Sequence, residues 1–169
     1  MTDRAQNGTQ GPAAPGAEGP VSSNRRIVVG VDGSDPSKVA LVWAIRQARL
    51  TGAVLDAVIA WDVPQTMRAP WPLTWGTDFR GLAEHLLTDA IADVPGSADR
   101  VEIRPKTLRG NPAQVLLEAA AGADLLVIGN RGHGGFVEAL LGSVGQECAH
   151  RATCPVVVIR GSFTAGWSR

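Results

Sequence analysis

Three short runs in this chain are apolar at nearly every position: Ile27-Val-Val-Gly-Val31, Leu125-Leu-Val-Ile-Gly129 and Pro155-Val-Val-Val-Ile159. A strand with one face in water alternates apolar and polar residues. A strand without alternation needs cover on both faces, as in a parallel sheet sandwiched between helices. The intervening segments can supply that cover. Leu41, Ala44, Ile45 and Ala48 recur at helical spacing, and so do Phe79, Leu82, Ala83 and Leu86. Val115, Leu116 and Ala119 mark a third apolar helix face, and Leu140, Leu141, Val144 and Cys148 a fourth.

Boundary signals agree with this alternation. Ser34 or Asp35 can cap the first helix, Pro36 suits its first turn, and Gly52 ends it. Asn111-Pro112 is a cap followed by a favoured first residue. The strands then read Arg26 to Val31, Val54 to Trp61, Val101 to Leu108, Asp124 to Gly129 and Pro155 to Arg160. Pro105 cannot donate to a ladder, so the third strand is expected to be bent or at an edge. Strands alternating with helices imply right-handed crossovers. The expected fold is α/β, a single open five-stranded parallel sheet with helices on both faces.

Residues 1–24 are rich in Gly, Pro, Ala, Ser and Gln and hold little that is bulky. Such a segment cannot bury enough surface to offset the entropy of ordering, so a disordered arm is expected there. The folded domain is expected over 25–160, followed by a tail, 161–169. A Pro- and Trp-bearing loop over 62–78, with Trp71 and Trp75, reads as a lid, a partner patch or extra core.

Composition excludes several function classes. Formal net charge is zero, which argues against a nucleic-acid groove. No apolar run approaches the roughly 18 residues of a membrane span, so no membrane partner is expected. The N-terminus lacks the apolar core of a secretory signal. Only two cysteines occur, Cys148 and Cys154, as expected in a reducing, cytoplasmic compartment. His85, His133 and His150 have no zinc spacing among themselves or with the cysteines.

Chemistry concentrates in Gly129-Asn-Arg-Gly-His-Gly-Gly-Phe-Val-Glu-Ala-Leu-Leu-Gly-Ser143. It begins at the carboxyl end of a buried strand, where ligands of open α/β sheets bind. Glycines there allow close backbone approach and positive φ. Consecutive amides can form an anion nest, and Gly142-Ser143 can add donors and a hydroxyl. This is a phosphate cradle made of backbone, with Arg131 as the one nearby cation. There is no G-x-x-x-x-G-K-[ST] and no G-x-G-x-x-G after the first strand, so Walker-type and conventional dinucleotide enzymes are not expected. Leu141-Gly-Ser-Val-Gly145 is a poor nucleophile elbow, because no strand leads directly into Ser143. No catalytic residue is assigned.

At these landmarks the chain resembles the universal stress protein family. The resemblance rests on Ile27 to Ser34, on Ala60-Trp61-Asp62 and on Cys154 to Ile159. It also rests on the family's nucleotide motif, glycine, two residues, glycine, nine residues, glycine-serine, here Gly129, Gly132, Gly142 and Ser143. It implies an adenine nucleotide alpha hydrolase-like, Rossmann-like three-layer sandwich that binds ATP with magnesium. Gly30 and Asp32 would lie at the ligand, Asp32 holding ribose hydroxyls or a phosphate-bound metal unless it is only a turn carboxylate. Ala60 would meet the adenine edge through its main chain unless it is only core. Gly129 and Gly132 would admit ribose and phosphates. Gly142, Ser143, Val144 and Gly145 would donate amides to the outer phosphates, and Ser143 would also suit the cap of the last helix. Gly145 stands where relatives often carry a hydroxyl. The implied role is a stress-response regulator with slow or no ATP hydrolysis. The alternatives are a cAMP-binding module, a slow ATPase or other hydrolase, and a scaffold without nucleotide. The apolar last strand, matching the family, implies a homodimer joined through that strand and an unidentified regulatory partner.

Overall fold

The computed structural model describes residues 25–63, 77–95, 101–132 and 141–161. The expected arm, Trp71, Trp75, His133, Leu140 and most of the tail lie outside the described residues. Nine elements alternate along the chain: β1 (Arg26–Gly30), α1 (Asp35–Thr51), β2 (Val54–Trp61), α2 (Phe79–Ala92), β3 (Ile103–Arg109), α3 (Pro112–Ala119), β4 (Leu125–Gly129), α4 (Ser143–Arg151) and β5 (Val156–Ile159). The strands form one five-stranded sheet in the order β3-β2-β1-β4-β5, and every pairing is parallel. The expected architecture is therefore the observed one.

Each side of the sheet has its own core. Ile27, Val29, Leu55, Ala57 and Val127 point toward α1 and α2, where they pack with Leu41, Ile45 and Leu87. Val28, Val58, Leu126 and Ile128 point the other way, toward Val115, Leu116 and Cys148 of α3 and α4. Val28, Val29, Leu126 and Val127 are fully buried. That is the physical reason for the unbroken apolar runs: in β1 and β4 both alternating sets of side chains face protein. Each large aliphatic side chain removed from water this way contributes roughly 2 kcal/mol.

Local chemistry sets the helix ends. Ser34 caps α1, its hydroxyl accepting from the Ser37 amide at 3.4 Å, and Gly52 closes the helix with φ 68°. A left-handed residue there costs least as glycine. Asn111 caps α3 by accepting from the amides of Ala113 and Gln114. The last helix departs from expectation. Its apolar spacing reads from Leu140, but α4 starts at Ser143, and the cap position is held by Gly142, not Ser143. Among the described residues β3 is an edge strand paired only with β2, with Pro105 opposite Ala57, as expected of a proline-bearing strand.

One charged group sits in the apolar interior. Asp56 is fully buried in β2. Its Oδ2 accepts from Arg26 Nη1 at 3.1 Å and from Lys106 Nζ at 2.8 Å, while Oδ1 has no partner. Arg26 also donates to the carbonyls of Ala119 and Ala121, satisfying the C-terminus of α3. The cluster thus ties three neighbouring strands to a crossover helix. Removing the carboxylate takes a partner from both cations, whereas removing Lys106, itself 39% exposed, leaves Asp56 paired with Arg26. Asp56→Ala is expected to cost about 3 kcal/mol in urea unfolding and Lys106→Met less than about 1 kcal/mol.

Cys148 lies fully buried on the inner face of α4. Burial pushes its thiol up from 9.0 to about 11, and the neighbouring Glu147 carboxylate adds to the effect. The folded chain therefore holds this proton more tightly than the unfolded chain does. Stability from this group is intact below pH 9.0 and is lost as pH rises toward about 11. Melting temperature is expected to fall across that interval, and to fall less steeply in Cys148→Ala.

Candidate functional site

The sheet order reverses between β1 and β4. The chain runs outward from β1 to β2 and β3, then returns through α3 to the other side of β1. Crossovers leaving β1 and β4 diverge there, so the carboxyl ends of these strands are left uncovered. A cavity of about 640 Å³ opens at that point on the α3–α4 side. All nine residues singled out from the sequence line it: Gly30, Asp32, Ala60, Gly129, Gly132, Gly142, Ser143, Val144 and Gly145. They come from β1, β2, the β4 end and the α4 start, so the fold unites positions more than a hundred residues apart.

The walls differ in chemistry. Val58, Ala60, Pro112, Leu116 and Ile128 form an apolar slot over the sheet. Asp32, Asn130, Arg131, Ser143 and Gln146 make the opposite rim polar. The first intrahelical bond of α4 runs from the Gln146 amide to the Gly142 carbonyl at 2.9 Å. The amides of Ser143, Val144 and Gly145 therefore precede the hydrogen-bonded ladder, and no side chain among the described residues caps them. Uncapped amides at the positive end of a helix dipole favour an anion. The Gly142 amide, counted from sequence among the donors, is instead given to the Asn130 carbonyl at 2.9 Å.

Asp32 is positioned by the α1 cap. Its Oδ1 accepts from the amide and the hydroxyl of Ser34, at 3.0 and 2.5 Å, and its own amide donates to Ser37 Oγ at 3.3 Å. The two readings of this carboxylate thus coexist: Oδ1 organises the turn, and the residue still lines the cavity. Among the described residues, Asp32 is the only acidic one on the cavity wall, and no group of three His, Cys, Asp or Glu side chains converges.

Positive φ, expected of these glycines, is not what they supply. None of Gly129, Gly132, Gly142 and Gly145 has positive φ. At Gly129 a Cβ would lie 2.8 Å from the Pro36 carbonyl carbon, so this glycine lets α1 approach the strand end. A Cβ at Gly132 would collide with Asp32 Oδ2, and one at Gly145 would lie 2.5 Å from Leu141 Cδ1. At Gly30 it would press on Leu116. Gly142 alone of the motif has room, its nearest neighbour being Arg131 Cα at 3.7 Å.

Ser143 follows no strand directly, since β4 ends at Gly129, and His150 lies exposed at the far end of α4. The elbow geometry is absent from the described residues. Sequence reading missed Val58, Pro112, Leu116, Ile128, Asn130 and Gln146 as wall residues. Leu116 and Ile128 carry only a core signal, and nothing local marks them as facing a cavity.

Comparison with known proteins agrees with this geometry. The pattern of the universal stress protein family matches residues 23–160. The universal stress protein Rv2623 of Mycobacterium tuberculosis is 36% identical over 141 residues, 82% of this chain and 46% of that protein. A universal stress protein of Mycolicibacterium smegmatis is 36% identical over 138 residues, 79% of this chain and 45% of that protein. The chain thus spans about half the length of the curated relatives it matches. Among solved structures, a universal stress protein in complex with cAMP is 29% identical, covers 82% of this chain and 98% of its own, and superposes with a TM-score of 0.62. The Archaeoglobus fulgidus universal stress protein in complex with dAMP is 25% identical, covers 80% of this chain and 97% of its own, with a TM-score of 0.59. Fold and sequence agree: the chain belongs to the universal stress protein family.

Proposed function

We propose that this protein binds an adenine nucleotide in the cavity at the β1–β4 reversal and acts as a nucleotide-responsive regulator, not a fast enzyme. The observation that carries the reading is the pairing of uncapped α4 amides with an apolar slot across the same cavity. A flat base needs the slot, and phosphates need the amides. The cAMP and dAMP complexes of related proteins support an adenine ligand.

The residues would divide the work as follows. Ala60 and Val58 bound the base, with Leu116 and Ile128 against its face. Gly132 and Asp32 meet the ribose. Ser143, Val144 and Gly145 donate to phosphate oxygens, and the Ser143 hydroxyl adds one donor. A magnesium ion would ride on the phosphates with at most one protein carboxylate, Asp32, which is a usual way for magnesium to be held. The spacing of Gly129, Gly132, Gly142 and Ser143, which resembles the motif of ATP-binding family members, supports ATP. The cAMP-bound relative supports a cyclic nucleotide. Two copies would join through the β5 edge, which pairs only with β4 among the described residues. A bound nucleotide would bias the conformation that a regulatory protein partner in the cytoplasm reads. No helix among the described residues is long and apolar enough to cross a membrane.

Gly142→Asp separates folding from binding. Gly142 has φ −70° and ψ 166°, occupies the N-cap and has room for a side chain. Aspartate is a preferred N-cap, so the variant should melt at the parent temperature or slightly above it. Its carboxylate would cover the same amides with negative charge, and nucleotide affinity should fall at least about a hundredfold, a loss of about 2.7 kcal/mol. Unchanged affinity by calorimetry would overturn the assignment of the site.

Competition decides the ligand. If ATP with magnesium is preferred, ATP should displace a fluorescent cAMP analogue at concentrations below those at which cAMP displaces a fluorescent ATP analogue. The reverse order would establish the cyclic nucleotide.

A further inference from the structure

A second, smaller cavity of about 320 Å³ lies beside the first, lined by Pro36, Asn130, Arg131, Arg160 and Gly161. Asn130 and Arg131 belong to both walls. Among the described residues, the smaller cavity has two arginines and no Asp or Glu on its wall. Arg131 Nε is shielded from solvent and has no hydrogen-bond partner. A buried charged donor left unpaired is costly and is normally satisfied by an anion or its equivalent. Backbone hydrogen bonds fix the two segments that carry these arginines. The Asn130 amide donates to the Ile159 carbonyl at 2.8 Å, and the Asn130 carbonyl accepts from the Gly142 amide at 2.9 Å. One buried residue thus locks the β4 end to the residue before Arg160 on one side and to the α4 cap on the other.

We propose that Arg131 and Arg160 form a second subsite for phosphate oxyanions, next to the nucleotide cavity. The phosphate can come from two sources: the distal end of a polyphosphate nucleotide whose base lies in the main cavity, or a separate phosphate-bearing anion. Only the first source depends on the nucleotide reading above. A cyclic monophosphate, with one short phosphodiester, would leave this subsite unused, so the subsite would set selectivity for triphosphate over cyclic nucleotide.

Arg160 is the clean probe, because it is exposed and does not line the main cavity. Calorimetry on the full chain would compare the parent, Arg160→Gln and Arg131→Gln with four ligands: ATP, cAMP, adenosine and inorganic tripolyphosphate. Melting temperature would serve as the check on folding. The proposal expects Arg160→Gln to weaken tripolyphosphate about tenfold, the worth of one charge-assisted contact. If ATP weakens by a similar factor while cAMP and adenosine change less than about twofold, the source is the nucleotide's own tail. If tripolyphosphate weakens and ATP does not, the subsite takes a separate anion. Arg131→Gln should reproduce the loss, and raised salt should shrink the difference between parent and variants. Tripolyphosphate binding that is absent from the parent, or unaltered in both variants, overturns the proposal whether or not nucleotides bind. Tripolyphosphate binding without any nucleotide binding would retain this subsite and overturn the nucleotide reading.

Discussion

Everything distinctive about this molecule follows from the cover that its central strands need. β1 and β4 present aliphatic side chains on both faces, so each face must carry helices. Parallel strands need long crossovers of one hand, and a chain that starts in the middle of the sheet must wind outward twice. The two windings place α1 and α2 on one side and α3 and α4 on the other. They part at β1 and β4, and no helix can cover the gap. The cavity is thus a by-product of how the core is buried, present before any residue is chosen for a ligand.

The residues at the rim then serve packing and recognition together. Gly129 and Gly30 let helices press against strand ends, with Pro36 and Leu116 occupying the space that side chains would fill. Gly132 leaves space for the carboxylate of Asp32, and Ser34 holds that carboxylate from below. Asn130 fastens both flanking elements to the β4 end. Gly129, Gly132 and Gly145 thus let protein approach protein, while Gly142 has room for a side chain.

At the opposite end of the sheet the logic is electrostatic. Asp56 gathers Arg26 and Lys106, and Arg26 finishes α3. This cluster is far in sequence from the glycine motif, yet it anchors the same crossover helix that supplies Pro112 and Leu116 to the cavity wall.

The sequence by itself determined the class of fold and the identity of the rim. Apolar runs without alternation, helical spacing between them and two strong cap signals are local features, and local features survive without coordinates. The glycine spacing and the family resemblance together pointed to nine residues that line one cavity. Tertiary structure alone decided what those residues do. Whether Gly142 offers its amide depends on Asn130 standing opposite, and whether Gly145 can accept a hydroxymethyl depends on Leu141 packed over it. The apolar wall was equally hidden, because Leu116 reads as core until α3 is placed beside the gap. Such roles are set by contacts between distant segments, and a linear chain carries the residues for those contacts but not their geometry.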